Sequence, residues 1–128
     1  MVKLYDYFEA ANGIGVLATA DADGKVDAAL YARPHFLNEE TVVFIMGDRL
    51  THRNLASNPY ATYLFVESGS VSKGKRLYLR KEREEEDPEF IDALRRRGCG
   101  TCEEANYSPK YVGYFHIDRV LPVVGSAD

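Results

Sequence analysis

Thr41-Val42-Val43-Phe44-Ile45-Met46-Gly47-Asp48-Arg49-Leu50-Thr51-His52-Arg53-Asn54 is the stretch on which the fold turns. Its first six residues are rich in β-branched and aromatic side chains and read as a strand. Gly47 and Asp48 interrupt the run. Leu50, Asn54 and Leu55 then fall at the spacing of one helix face, up to Asn58-Pro59, where the residue before proline is pushed out of the helical region. A strand that feeds a helix suits either a parallel sheet with crossover helices or a helix set between antiparallel strands. The flanks decide between them.

Upstream, Leu4, Tyr5, Phe8 and Ala11 predict a short helix over residues 2–12, stopped by Asn12-Gly13. Two apolar runs follow, residues 15–20 and 26–32, joined by Asp21-Ala22-Asp23-Gly24-Lys25, whose Asp-Gly is a hairpin signal. Pro34 ends or bulges the second run, because it cannot donate to a ladder. Downstream, residues 60–67 and 75–80 read as strands around a Ser/Gly-rich loop. The charge-dense run from Lys81 to Asp87 reads as a solvated strand end and loop. Asp87-Pro88 then predicts an N-cap with proline at the first helical position. Phe90, Ile91 and Leu94 give that helix an apolar face, and Arg95–Arg97 with Gly98 close it. A last strand spans residues 111–121.

The order is helix, three strands, helix, two strands, helix, strand. It lacks the regular alternation of strand and helix that a doubly wound parallel sheet requires. The expectation is a mainly β fold: an antiparallel six-stranded barrel with a few helices, of Greek-key type, in one domain over residues 1–128. Closure also disposes of exposed strand edges.

Composition sets outer limits. The chain has 128 residues, 45% of them apolar and 28% charged, which is ordinary for one globular domain. A net charge of −4 argues against nucleic acid as partner, because there is no basic excess to neutralise phosphates. The N-terminal residues show no signal-peptide pattern, and no apolar run approaches the roughly 20 residues of a membrane span. A cytoplasmic protein with no membrane partner is expected.

The turn at Gly47–Asn54 concentrates the chemistry. Backbone N–H groups at a helix start attract anions. Arg49 can add a bidentate contact to a phosphate, Thr51 a hydroxyl, and His52 and Arg53 further donors. The same residues also read as an ordinary helix start with Asp48 or Thr51 as cap and the arginines in water. Cys99-Gly100-Thr101-Cys102 has the spacing of a redox pair or half a zinc site, but it follows a helix end, and no histidine lies at motif spacing to complete a metal site. Two thiols in a glycine-rich loop is the simpler reading, with a dithiol that exchanges electrons with a cofactor as the alternative. No nucleophile elbow, paired-carboxylate motif or Walker loop is present.

The order of these elements resembles the pyridoxamine 5'-phosphate oxidase-like FMN-binding split barrels. The residues that carry the likeness are Gly15-Val16-Leu17-Ala18-Thr19-Ala20, Asp23-Gly24-Lys25, Gly47-Asp48-Arg49-Leu50-Thr51, Asn54-Leu55 and Asn58-Pro59. The resemblance implies FMN as cofactor, with Arg49 and Thr51 on its phosphate and the strand at Ala28, Ala29, Leu30, Tyr31 and on to Arg33 along the ring system. Leu50 departs from the family pattern, which often has a lysine there; Arg53 or a partner-chain residue would have to substitute. Relatives of this fold also bind deazaflavin or haem. The resemblance further implies a homodimer with FMN at the subunit interface, and Tyr60, Tyr63, Phe65, Tyr111, Tyr114 and Phe115 offer more aromatic surface than one small barrel is expected to bury. The implied function is a small-molecule oxidoreductase with an undetermined electron donor and acceptor, or else a flavin-binding electron carrier or sensor. It is not expected to be a true pyridoxamine phosphate oxidase, for the chain is much shorter and shows no clamp for a substrate phosphate.

Overall fold

In the computed structural model, which describes residues 3–69, 72–98 and 111–125, seven antiparallel strands form one sheet in the order β2-β1-β5-β6-β7-β4-β3. The strands are β1 (Gly13–Ala20), β2 (Val26–Leu30), β3 (His35–Phe36), β4 (Thr41–Met46), β5 (Tyr60–Glu67), β6 (Gly74–Glu85) and β7 (Tyr111–Pro122). Helices α1 (Leu4–Ala10), α2 (Leu50–Ser57) and α3 (Pro88–Gly98) are set between them.

The sheet is rolled. Strands β4 and β5 are separated by β6 and β7 in the hydrogen-bonded order, yet the rings of Phe44 and Tyr63 lie 5.2 Å apart. Leu17, Phe44, Tyr63, Phe65, Leu77, Leu79 and Phe115 converge in this interior, and Phe8 of α1 and Leu55 of α2 enter the same core. Strand β4 is buried on both faces. Val42, Phe44 and Met46 point into the barrel, while Val43 packs outward with Val112 and Tyr114 against Ile91 and Leu94 of α3. That is why residues 41–46 are an unbroken apolar run rather than an alternating one. The mainly β, split-barrel expectation therefore holds.

The hairpin between β1 and β2 forms as its sequence requires. The Asp21 carboxylate accepts the N–H groups of Asp23 and Lys25, each at 2.9 Å, and Gly24 takes the left-handed conformation at φ 84°. The N-cap of α3 also forms, with Phe90 N–H donating to Asp87 Oδ1 at 3.1 Å.

Four local expectations change. A seventh strand, the two-residue β3, pairs with β4 beyond Pro34, and β2 ends at Leu30 rather than at residue 32. Gly13 does not stop α1; Ala11 leaves the helix in an extended conformation, and Gly13 already belongs to β1. A Cβ on Gly13 would lie 2.1 Å from the Val66 carbonyl oxygen, so close strand approach explains the glycine. Finally, the charged run does not leave the sheet at Lys81: β6 continues to Glu85, paired with β7 across irregularities at Tyr78/Leu79 and Lys81/Arg83. Cys99 and Cys102 lie outside the described residues.

Candidate anion site at the start of helix α2

Gly47 is buried where β4 hands the chain to α2, and Arg49 occupies the N-cap position. Neither expected cap forms. Among the described residues no side chain caps the first turn of α2, and no acidic residue lies within it. Its first N–H groups therefore face the turn without a carboxylate or hydroxyl from the described residues on them.

Thr51 is almost fully buried, at 3% exposure, and its hydroxyl lies beside that of Tyr31. The charge of Arg49 acts on the same phenol. Burial nevertheless pushes Tyr31 above its ordinary value, against Thr51 and Arg49, so at neutral pH it is a neutral hydroxyl able to donate. Tyr31 is fixed from behind. Its N–H donates to the Gly15 carbonyl at 3.0 Å, its own carbonyl accepts from the Tyr63 hydroxyl at 3.1 Å, and its ring meets Phe44 edge-on at 6.0 Å. Burial raises the Tyr63 phenol as well.

Sequence reasoning thus placed Tyr31, Arg49 and Thr51 in one site, and the structure brings them together. Other named residues lie differently. Leu50 is 49% exposed and does not share the buried face of α2, which is made by Thr51, Asn54 and Leu55. Arg53 is exposed one turn further along. In β2, Ala28 and Leu30 are exposed and Ala29 is half-buried. Arg33 is set apart: its Nη1 donates to the carbonyls of Phe8 at 2.6 Å and Ala11 at 3.1 Å, tying down the end of α1.

Two asparagines that helped carry the resemblance turn out to anchor the helix. Asn54 Nδ2 donates to Thr19 Oγ1 at 3.1 Å in the buried core, and Asn58 Oδ1 accepts the Tyr60 N–H at 3.1 Å. They fix α2 to β1 and to the start of β5.

A cluster that the sequence left unread stands behind the turn. The His52 imidazole stacks on Tyr111, with centroids 4.0 Å apart and planes inclined by 7°. Its Nε2 meets the Glu84 carboxylate at 2.9 and 3.1 Å, and its Nδ1 lies 3.5 Å from Asp48 Oδ1. Lys81 pairs with the same Glu84. Burial raises the Glu84 carboxyl, but Lys81 and His52 together hold it below its ordinary value. Lys81 and Glu84 fall in the run that read as solvated, so only the strand pairing of β6 reveals the cluster. His116 likewise has carboxylate partners that its sequence position did not suggest, Asp118 at 2.9 Å and Glu40 at 3.3 Å. No group of three or more metal-ligating side chains occurs among the described residues.

The aromatic argument for an interface fails. Tyr63, Phe65 and Phe115 are fully buried inside the barrel, Tyr114 is buried under α3, and Tyr111 is half-covered by His52; of the six, Tyr60 alone is exposed. Exposed apolar surface lies elsewhere. Val26 is 83% and Leu30 74% exposed on β2, and Ile14 of β1 and Tyr60 of β5 stand on the same outer face. An open groove of about 530 Å³ runs over this face, lined by Ala18, Ala20, Val26, Tyr60, Thr62 and Tyr78 among others. No helix of the described residues is long and apolar enough to cross a membrane.

The family model of pyridoxamine 5'-phosphate oxidase matches residues 1–118. Among solved structures, an FMN-binding protein from Syntrophomonas wolfei superposes with a TM-score of 0.78 at 21% identity, covering 97% of this chain and 86% of its own. An F420 reductase gives 0.71 at 17% identity, covering 94% and 98%. HutZ, the haem storage protein of Vibrio cholerae, gives 0.59 at 16% identity, covering 91% of each chain. At these identities the likeness is one of fold. No curated protein sequence matches the chain.

Proposed function

The chain belongs to the pyridoxamine 5'-phosphate oxidase family, and from that premise we propose that it is an FMN-binding flavoprotein acting as a small-molecule oxidoreductase. The observation that carries the reading is that Arg49, Thr51 and the Tyr31 hydroxyl lie together at a helix start that no side chain among the described residues caps. These are donors, arranged where backbone N–H groups also point, and a phosphomonoester is the part of FMN they suit. The donor set therefore fits the group.

A bound flavin supplies the hydride and electron transfer. The chain's residues supply binding and orientation. Arg49 offers a guanidinium to the phosphate, and Thr51 and Tyr31 offer hydroxyls. Strand β2 ends the sheet, so part of its backbone at Ala28–Leu30 has no neighbouring strand and is available to a ring edge. Leu50 contributes no cation, and the exposed Arg53 is the residue of this chain placed to supply the second one. Arg33, committed to α1, acts on the site through the frame rather than by contact.

Flavin is preferred to haem because the side chains at the turn, Arg49, Thr51 and Tyr31, are donors suited to a phosphate, and the histidine beside them, His52, is largely buried, stacked on Tyr111 and held at Nε2 by Glu84. The exposed apolar face around Val26, Leu30, Ile14 and Tyr60 supports a homodimer, with the cofactor site at its border. Paired Val26→Asp and Leu30→Asp substitutions are expected to give a monomer with weakened FMN retention. A variant that sediments as the wild type would remove this face from the interface.

The direct test is the spectrum and fluorescence of the purified protein titrated with FMN and, separately, with riboflavin. Tight FMN binding with much weaker riboflavin binding is expected. Equal affinity for both would overturn the phosphate assignment, and turnover with a reduced nicotinamide would separate an enzyme from an electron carrier.

A further inference from the structure

Directly beside the proposed phosphate site the chain carries Asp48, a negative charge that ought to oppose an anion. A carboxylate one residue before the N-cap is well placed to turn onto the free N–H groups of a helix start, where the dipole favours it. In this structure it does not: α2 has no side-chain cap, and the Asp48 carboxylate faces His52 Nδ1 at 3.5 Å. His52 has no freedom to follow it. Its ring is stacked on Tyr111 of β7, and its Nε2 is held by Glu84 of β6, which Lys81 holds in turn. Nδ1 is buried, and among the described residues it has no hydrogen-bond partner. Among the described residues, Asp48 is the acidic group beside that nitrogen.

We propose that His52 is a positioning residue that keeps the Asp48 carboxylate off the start of α2, so that the turn can accept an external phosphate. Its imidazole acts as a fixed post, braced by β6 and β7; in the protonated form, with Nε2–H on Glu84 and the second ring proton on Nδ1, it draws Asp48 along the side of the helix. Without the post, Asp48 caps α2 internally and competes with the ligand. The inference rests on the reading of Arg49 and Thr51 as the phosphate site.

The test is the ratio of FMN to riboflavin affinity, measured by flavin fluorescence quenching, because riboflavin lacks the phosphate and reports everything else. His52→Gln is expected to lower the ratio roughly tenfold, the scale of one unscreened charge near a phosphate. Asp48→Asn in the same chain is expected to restore it, whereas a merely structural role for His52 would not be rescued by neutralising its neighbour. Should His52→Gln fail to fold, Glu84→Gln loosens the post while leaving the imidazole, and it should lower the ratio in the same direction. Asp48→Asn alone should change the ratio less than about twofold, since the carboxylate is already held away. A tenfold gain from Asp48→Asn alone, or no rescue in the double variant, overturns the proposal. If Arg49→Ala leaves the ratio unchanged, the phosphate reading itself has failed, a result distinct from either of these.

Discussion

Arg33 and Arg49 carry the same guanidinium and serve opposite ends. Arg33 is half-buried and spends its donors on the carbonyls of Phe8 and Ala11, closing the C-terminal end of α1. Arg49 is exposed, sits at the N-terminal end of α2, and makes no ion pair among the described residues. Between them stand Tyr63 and Tyr31: the charge of Arg33 acts on the first, that of Arg49 on the second. A cation that satisfies a helix C-terminus completes the fold, whereas one beside an uncapped N-terminus leaves positive potential for a ligand. Sequence position told little about this, since both arginines lie in the connection just after an apolar strand.

The largest effect should come from the floor beneath the tyrosines. A Cβ on Gly15 would lie 1.8 Å from the Tyr63 hydroxyl oxygen, so Gly15→Ala must displace the ring that holds Tyr31. We expect a loss of about 3 kcal/mol in denaturant unfolding, with both arginine environments disturbed at once. Wild-type stability in that variant would show that the two sites do not share this frame.

Arg33→Ala sharpens the contrast. It strips a charged donor from two carbonyls and should cost about 2 kcal/mol of stability, while the folded fraction binds FMN as before. Asn54→Ala, which leaves Thr19 without its buried partner, should cost about 1 kcal/mol, read as a lower melting temperature.

The smallest effect concerns acid. Lys81 and His52 hold the Glu84 carboxyl below its ordinary value against the upward push of burial, so the folded protein takes up that proton less readily than the unfolded chain. The resulting stabilisation is present above the ordinary carboxylate value and is lost as the pH falls through the lowered one. Unfolding midpoints followed from neutral pH into that range should fall less steeply in Glu84→Gln than in the wild type; identical slopes would dissociate Glu84 from the post behind the turn.

Much of the fold was legible because its signals are local. The Asp-Gly hairpin, the Asp87-Pro88 cap and the apolar run of β4 each follow from a few adjacent residues. The glycine at position 13 misled for the same reason: a helix stop and a close strand contact look alike until the partner strand is known. Long β6 was hidden by its charges, which read as solvent-exposed, although Glu84 and Lys81 are half-buried in the His52 cluster. At the site, Arg49 and Thr51 were visible as chemistry next to a helix start. The partners that distinguish Arg33 from Arg49, and the carboxylates around His52, are distant in sequence and became apparent only through packing. The aromatic count failed because a rolled sheet with α1 and α2 entering its core buries more rings than composition suggests.

Arg49→Ala and Arg33→Ala titrated side by side with FMN, with riboflavin as the control, test the central assignment most directly. Arg49→Ala is expected to lose about one to two decades of FMN affinity with riboflavin binding and melting temperature little changed, while Arg33→Ala loses stability but retains its preference for FMN. Unchanged FMN affinity in Arg49→Ala, or a loss of that preference in Arg33→Ala instead, would contradict the account.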